Sequence, residues 1–502
     1  MNSLDGFDAA IAAILADGGG LRPYQADAIA QIRDAVAAGK RRIMLMLATG
    51  GGKTKIASAI ANGFRSVDKR VLFTVPAVEL INQTVEKFDH AGLTQIGVMQ
   101  AMHEMTDHIQ PVQIASLQTL MRRRIPSAGV VIIDEAHRWF DFYRKWFLDP
   151  TWRDVPFIGL SATPWTKGLG AYYDELIIAA TTQHLIDQGY LSKFKVFAPA
   201  HPDLRGVRTV AGDYQVDDLG EAMDKQPLVA DIVETWKTRG LGRPTLCFAV
   251  NRVHAKHLQE RFEAAGFKAG YVDCFTPADE RTLIRHKFHS GELQVVCNVG
   301  VLTIGIDWDV RCIVLARPTK SEMLFVQIIG RGLRPADGKD HCLILDHSDT
   351  TCRLGFVTDI HHDELHDGKT REPVKRDHIK LPKECPECHC LRPASTPICP
   401  NCGFTAKPVN KIKPVDGELV EMVTRSKPVP SDIGERERWH AMLTHIGINR
   451  GYKMPAWARA NFREKFGIWP AYNAVPPIAP TPEVLNWVRS KQIAYAKRRS
   501  AA

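Results

Sequence analysis

No cysteine occurs before position 247, and five of the eleven crowd between Cys385 and Cys402. That distribution excludes a disulfide scaffold of the kind spread along secreted chains, and it fits a reducing cytoplasm. No apolar run approaches the roughly 20 residues that span a bilayer, so no membrane partner is expected. The start, MNSLDGFDAAIAAILADGGG, carries two aspartates before residue 10 and no basic residue, and so fails as a signal peptide. Disorder is excluded as the default state, because 45% of the 502 residues are hydrophobic, enough for two or three cores.

Net charge is also nearly absent from most of the chain. Of the net +9, the segment from Lys411 to Ala502 supplies +8, with 16 basic and 8 acidic residues. A basic module appended to a nearly neutral body suits nucleic acid or another anionic surface, and simple solubility is the plain alternative.

What is present is alternation. From Leu21 to about Gln188, short apolar runs (RRIMLML, RVLFTV, GVVIIDEAH, VPFIGLSAT) alternate with helical periodicity, the pattern of a parallel sheet. A second series follows with TLCFAV, KAGYV, LQVVCNV and RCIVLARP, and it ends after HCLILDHSD. The expectation is an α/β protein with two tandem parallel-sheet domains, residues 1–190 and 191–355, then a cysteine unit at 380–408 and a mainly helical module at 411–502. Within that module, helices are expected over Glu435–Ile446, Ala456–Phe466 and Pro482–Arg499, with the Pro-rich AVPPIAPTP as a stiff linker.

RRIMLML-ATGGGKT places Gly50, Gly51 and Gly52 just after a strand and Lys53-Thr54 at a helix start. There, free N–H groups and the helix dipole attract phosphate oxygens. Lys53 would reach the β- and γ-phosphates and Thr54 a Mg²⁺ ion. Leu47 stands where the general pattern has its first glycine, and a purely structural glycine turn is the alternative. In GVVIIDEAH, Asp134 is placed to orient Mg²⁺ and Glu135 to position or deprotonate a water. Alone that tetrapeptide reads as a strand end; paired with the glycine loop, it points to phosphoryl transfer from a nucleoside triphosphate.

These residues resemble the superfamily 2 helicases, and the resemblance runs from Leu21 to about His347. It implies two RecA-like domains, ATP with Mg²⁺, and further roles. LRPYQ, with Arg22 and Gln25, would read adenine, and Thr49 would join the nucleotide site. VLFTVPAVELINQT and IASLQTL would hold the nucleic-acid backbone, with Thr119 facing phosphates. His137, Ser161 and Thr163 would couple hydrolysis to movement, although SAT before Pro164 is equally an ST-turn. In LTIGIDW, Thr303 would contact nucleic acid, and Gly305 and Asp307 the ATP site. In QIIGRGLR, Gln327, Arg331 and Arg334 are catalytic candidates. The two arginines are expected on one helix face, aimed at the γ-phosphate; an exposed basic face is the alternative.

Within the superfamily, LRPYQ, RPTKSEMLFVQIIGRGLRP and CLILDHSD look most like bacterial RadD-type DNA repair helicases and their phage relatives. That implies DNA, single-stranded or forked, as partner and repair, recombination or phage replication as setting, with possible protein partners and a monomeric state. The single compact cysteine cluster departs from the longer, differently spaced region of the RadD-type proteins. Duplex translocation without strand separation, RNA unwinding, and an ATP-gated clamp that remodels partner proteins share the same motifs.

CPECHCLRPASTPICPNCGF spaces Cys385, Cys388, Cys399 and Cys402 as two knuckles around one tetrahedral Zn²⁺. Cys390 or His389 as substitute ligands, iron, and redox-active dithiols are the alternatives. In the tail, GYKMPAWARANFREKFGIWP interleaves aromatics with Lys453, Arg459, Arg463 and Lys465. With Trp469, these would neutralise phosphates and stack bases. The alternative is that Trp457, Phe462 and Phe466 bury one another in a small helical core.

Overall fold

The computed structural model describes residues 20–369, 381–405 and 432–499, apart from 79, 101, 200, 304–306 and 472–474, together with 9–12 and 14. Two compact units emerge, Met1–Lys407 and Pro408–Ala502. Gly305 and the part of the basic module between 411 and 431 lie outside the described residues.

In the larger unit, the first sheet comprises β1 (Arg42–Leu47), β2 (Val71–Val75), β3 (Ile96–Met99), β4 (Val112–Ser116), β5 (Val130–Ile133), β6 (Phe157–Ser161) and β7 (Glu175–Ala180). All pairings are parallel, in the order β3-β4-β2-β5-β6-β1-β7. β1 through β6 are buried at every residue, which is why their sequences are continuous apolar runs rather than alternating ones. The order has a functional consequence. It sets β5, β6 and β1 side by side, so the residues after their carboxyl ends share one rim, where open α/β sheets bind ligands.

The chain enters a second sheet at β8 (Lys193–Phe197), makes a short ribbon of β9 (Thr209–Val210) and β10 (Asp213–Tyr214), and continues through β11 (Thr245–Phe248), β12 (Ala269–Val272), β13 (Val295–Asn298), β14 (Cys312–Leu315) and β15 (His341–Asp346). The order is β12-β13-β11-β14-β15-β8, again all parallel. β8 is an edge strand, and an edge exposes unpaired backbone groups. Here the cysteine unit covers part of it. Phe197 pairs with Cys390, the Ala198 N–H donates to the His389 carbonyl at 3.1 Å, and Arg239 donates to the Cys388 carbonyl while lying over the Phe197 ring. The unit's own strands are β16 (Lys383–Glu384) and β17 (Leu391–Arg392).

The smaller unit holds the helices Ile433–Asn449, Ala456–Phe466 and Pro482–Arg499. Trp439, Leu443, Ile446, Phe462, Val484 and Val488 form its core, with Trp457 and Phe466 packed against it. Those tail aromatics therefore bury one another, the plainer of the two sequence readings. Among the described residues, no helix is long and apolar enough to cross a membrane.

Trp236 anchors the second sheet. It is fully buried, donates to Thr245 Oγ1 at 2.7 Å, and is met edge-on by Phe262 and Phe267. Trp236→Ala is expected to cost about 3–5 kcal/mol, read as a fall in the urea midpoint of the full chain.

Candidate functional site

The glycine loop follows β1. Gly50 and Gly52 take left-handed φ values of +84° and +89°, and a Cβ on Gly51 would lie 2.7 Å from the Leu47 side chain. Side chains are thus excluded for steric reasons and the loop's backbone stands bare. The helix Lys53–Ser66 starts at Gly52 without a side-chain cap, which leaves its first amides for a ligand. Lys53 Nζ donates to the Leu47 carbonyl at 3.2 Å; burial lowers its pKa, opposed by Glu135 and Asp134.

Asp134 and Glu135 follow β5, and Glu135 turns the chain with φ +48°. Burial, and then the Glu135 charge, raises the Asp134 carboxyl to about 7. Glu135 Oε2 is buried without a hydrogen bond and lies 3.3 Å from His137 Nδ1. Two enclosed carboxylates beside one lysine are the donor set that a hard divalent cation fits, with the Thr54 hydroxyl bordering the same cleft. The cleft, of about 480 Å³, is within the range of small-molecule sites.

The second sheet closes this cleft with Asp307, Arg331 and Arg334. Arg331 is in the last turn of the helix Glu322–Gly332, and burial followed by the Arg334 charge lowers it to about 9. Arg334 lies beyond that helix, contrary to the expected shared helix face. Pro335 disfavours helical backbone in the residue before it, so the chain bends there. Its guanidinium still borders the cleft, paired with Asp307 at 2.7 Å. A Cβ on Gly330 would sit 2.5 Å from the Thr49 Cβ, so this helix rests directly on the glycine loop.

Gln327 does not border the cleft. One helical turn before Arg331, it faces the end of β6 instead, and its Nε2 lies 3.1 Å from His137 Nε2 and 3.2 Å from Thr163 Oγ1. His137 Nδ1 is 3.0 Å from Ser161 Oγ, which also accepts from the Thr163 N–H. The three coupling candidates and Gln327 thus form one buried network between the sheets.

Gln25 is also buried. Its Oε1 accepts from the Arg22 N–H at 2.9 Å and its Nε2 donates to the Gly51 carbonyl at 3.0 Å. Tyr24, not singled out in the sequence, donates to the same carbonyl at 2.6 Å, and the Arg22 guanidinium lies over the Tyr190 ring. The expected adenine-reading amide is thus engaged with the phosphate loop. Thr119 shares its hydroxyl with the Ser116 cap, and the buried Thr303 donates to the Gly300 carbonyl. Neither borders the cleft. Sequence reasoning missed Gln83 and Lys87, one turn apart on the helix Leu80–His90, both of which line it. Burial lowers the Lys87 pKa, opposed by Asp307. The i,i+4 spacing of Gln83 and Lys87 in LINQTVEK was the available signal.

The Sγ atoms of Cys385, Cys388, Cys399 and Cys402 lie within 4.8 Å of one another. Two pairs, Cys385 with Cys402 and Cys388 with Cys399, are 3.7 Å apart. Tetrahedral zinc with Zn–S of about 2.3 Å requires about 3.8 Å between sulfurs, so the set fits. Cys390 points to the Leu391 carbonyl and His389 bonds Glu384; neither joins the set. In the smaller unit, Trp469 is 52% exposed, with the Arg459 and Arg463 guanidinium groups 5.2 and 4.7 Å from its ring centre. Lys465 lies instead over the core residue Trp439, and Lys453 is exposed.

Two parallel sheets, a glycine loop on the rim of one and arginines presented from the other, define a RecA-like nucleotide-cleft protein. Family models match in two places: the Type III restriction enzyme res subunit over residues 19–166, and the helicase conserved C-terminal domain over 225–336. A Saccharomyces cerevisiae protein provisionally named ATP-dependent helicase IRC3 is 34% identical, over 65% of this chain and 51% of its own. A 51.5 kDa protein of a Lactococcus phage is 26% identical over 84% of this chain and 94% of its own. A solved fragment assigned as the HsdR subunit of a type I restriction enzyme from Vibrio vulnificus YJ016 shares the fold, with TM-score 0.52 and 20% identity over 69% of each chain. Over residues 19–336 the chain is similar to superfamily 2 helicases. It spans about half the length of the yeast relative.

Gly330→Ala should push the arginine helix off Thr49, lower ATP turnover by about tenfold and lower stability by about 1–3 kcal/mol through the overpacked contact; steady-state kinetics beside calorimetry checks both. Elemental analysis of protein purified without added metal should give one zinc per chain. Cys399→Ser should lose it, and the thermal midpoint should then fall, since Cys385, Cys390 and Cys399 pack in one core with Phe197 and Trp236.

Proposed function

We propose that this chain is an ATP-dependent DNA helicase or translocase. The observation that carries the reading is the single cleft in which Lys53, Asp134 and Glu135 from one sheet face Arg331 and Arg334 from the other. Bound ATP with Mg²⁺ supplies the phosphoanhydride whose terminal phosphoryl group passes to water. Lys53 and the glycine-loop amides hold its phosphate oxygens, with Thr49 alongside. Thr54 and Asp134 would hold the cation, which would offset negative charge on the phosphate oxygens. Glu135 takes the proton of the attacking water, and the two arginines meet the negative charge that spreads over the transferring group, which requires both sheets to close on it.

The Gln327–His137 contact, joined to Ser161 and Thr163, passes cleft closure from one sheet to the other, so each cycle shifts two nucleic-acid grips relative to one another. Thr119, Thr303, Asp307 and Gly305 belong to these grips and to the nucleotide site by resemblance. The domains are taken as 1–190 and 191–355, with a zinc ribbon at 380–408. The module at 411–502 adds a third grip, where the exposed Trp469 stacks a base and Lys453, Arg459, Arg463 and Lys465 neutralise phosphates. The RadD-like stretches favour DNA over RNA and a setting in repair, recombination or phage replication, in a monomer of the cytoplasm.

ATP hydrolysis measured with single-stranded, duplex and forked DNA and with RNA, followed by strand displacement, tests the reading. Stimulation by RNA alone would overturn it. Lys53→Ala should abolish turnover, whereas Glu135→Gln should keep ATP and hold DNA persistently; full turnover by Glu135→Gln would remove that residue from the role.

A further inference from the structure

After the short helix Thr350–Leu354, which follows β15, the chain runs from Gly355 to Gly368 back across the junction of the two sheets to the first. Its contacts change partner along the way. Phe356 meets Phe194 of β8, with ring centres 6.0 Å apart. Thr358, Ile360 and His361 border the same small void as Ala162 and Trp165 of the first domain and Val326 of the arginine-bearing helix. Leu365 packs against the aromatic face of the first sheet, and the His366 carbonyl accepts from the Gly170 N–H at 2.9 Å. The backbones approach closely there: a Cβ on Gly170 would lie 3.0 Å from the Leu365 oxygen.

His362 occupies the middle of this strap. Its Nε2 meets Glu322 Oε2 at 2.8 Å, and its ring lies 4.7 Å from that of Trp165. Glu322 is the first residue of the helix that carries Gln327 and Arg331. Trp165 directly follows Ser161–Pro164, and its neighbour Thr166 donates to the His137 carbonyl at 2.6 Å. One imidazole therefore touches both the start of the arginine helix and the loop after β6.

We infer that His362 is a positioning residue for ATP hydrolysis: from the strap, it ties the arginine helix of the second sheet to the loop after Ser161–Thr163 of the first. It touches no part of the nucleotide cleft and acts through Arg331 and Gln327. This inference rests on the ATPase reading above. ATP binding is chiefly the work of the glycine loop on the first sheet, so loss of the tie should act on the arginines and leave nucleotide capture intact.

The test uses the full chain with ATP and the most stimulating nucleic acid. His362→Ala should lower kcat by about tenfold with KM for ATP changed less than about twofold. His362→Gln, whose amide can still donate to Glu322, should recover most of the loss. Hydrogen exchange supplies a readout independent of activity: peptides covering 356–369 and 168–171 should be protected in the wild type and should exchange faster together in His362→Ala. Unchanged kcat in His362→Ala would overturn the inference. So would a fall in kcat that His362→Gln does not recover and that follows a lowered thermal midpoint, since that is the mark of a merely structural residue. If the wild type hydrolyses no ATP, the ATPase reading fails and the positioning role fails with it. Joint exchange of the two peptides would in that case still support the strap as a tether, and unprotected peptides in the wild type would overturn that too.

Discussion

Buried charge at the rims of two parallel sheets is the constraint around which the larger unit is arranged. Lys53, Asp134, Glu135, Arg331 and Arg334 converge on one cleft, Arg331 buried and the other four half-buried, and desolvation is the leading cause of the lowered pKa of Lys53, Arg331 and Arg334 and of the raised pKa of Asp134. Such a cluster persists only where opposite charges are near and a rigid frame holds them. All-parallel sheets buried on both faces supply that frame, because their strand ends have little freedom to relax around an unsatisfied charge.

The cleft joins the sheets but does not by itself keep them in register. Behind the charges, Gln327 reaches His137 and Thr163, Gly330 lets its helix lie on Thr49, and the strap from Gly355 crosses to Gly170. These contacts are polar or involve bare backbone, and each is a small area with specific geometry. Contacts of that kind favour a few discrete arrangements over continuous deformation, which suits a cleft that must open and close. The cysteine unit plays a different part. It covers the β8 edge and shares a core with Trp236, so a metal bound there would support the second sheet as well as its own ribbon.

The smaller unit shows how a basic, aromatic-rich segment divides its side chains. Phe462 and Trp439 build a core too small to spare them, while Trp469 stays half exposed beneath two guanidinium groups. Exposure, rather than aromatic content, therefore separates the binding candidate from the packing residues.

The sequence by itself determined the architecture class, the phosphate loop, the acidic pair and the cysteine knuckles. Each of these depends on short-range chemistry: continuous apolar runs make doubly covered strands, left-handed turns demand Gly50 and Gly52, and two C-x₂-C turns preform half a tetrahedron each. Tertiary structure alone decided which polar groups meet. Gln327 was legible as a motif residue but not as the partner of His137, because one helical turn moves it from the cleft to the end of β6. Arg334 left its helix because of Pro335, yet still reached the cleft. Gln25 turned its amide onto Gly51, and Gln83, Lys87 and His362 acquired their positions only when separate elements packed together. Long-range contacts of this sort depend on crossover geometry and strand order, which no local pattern encodes.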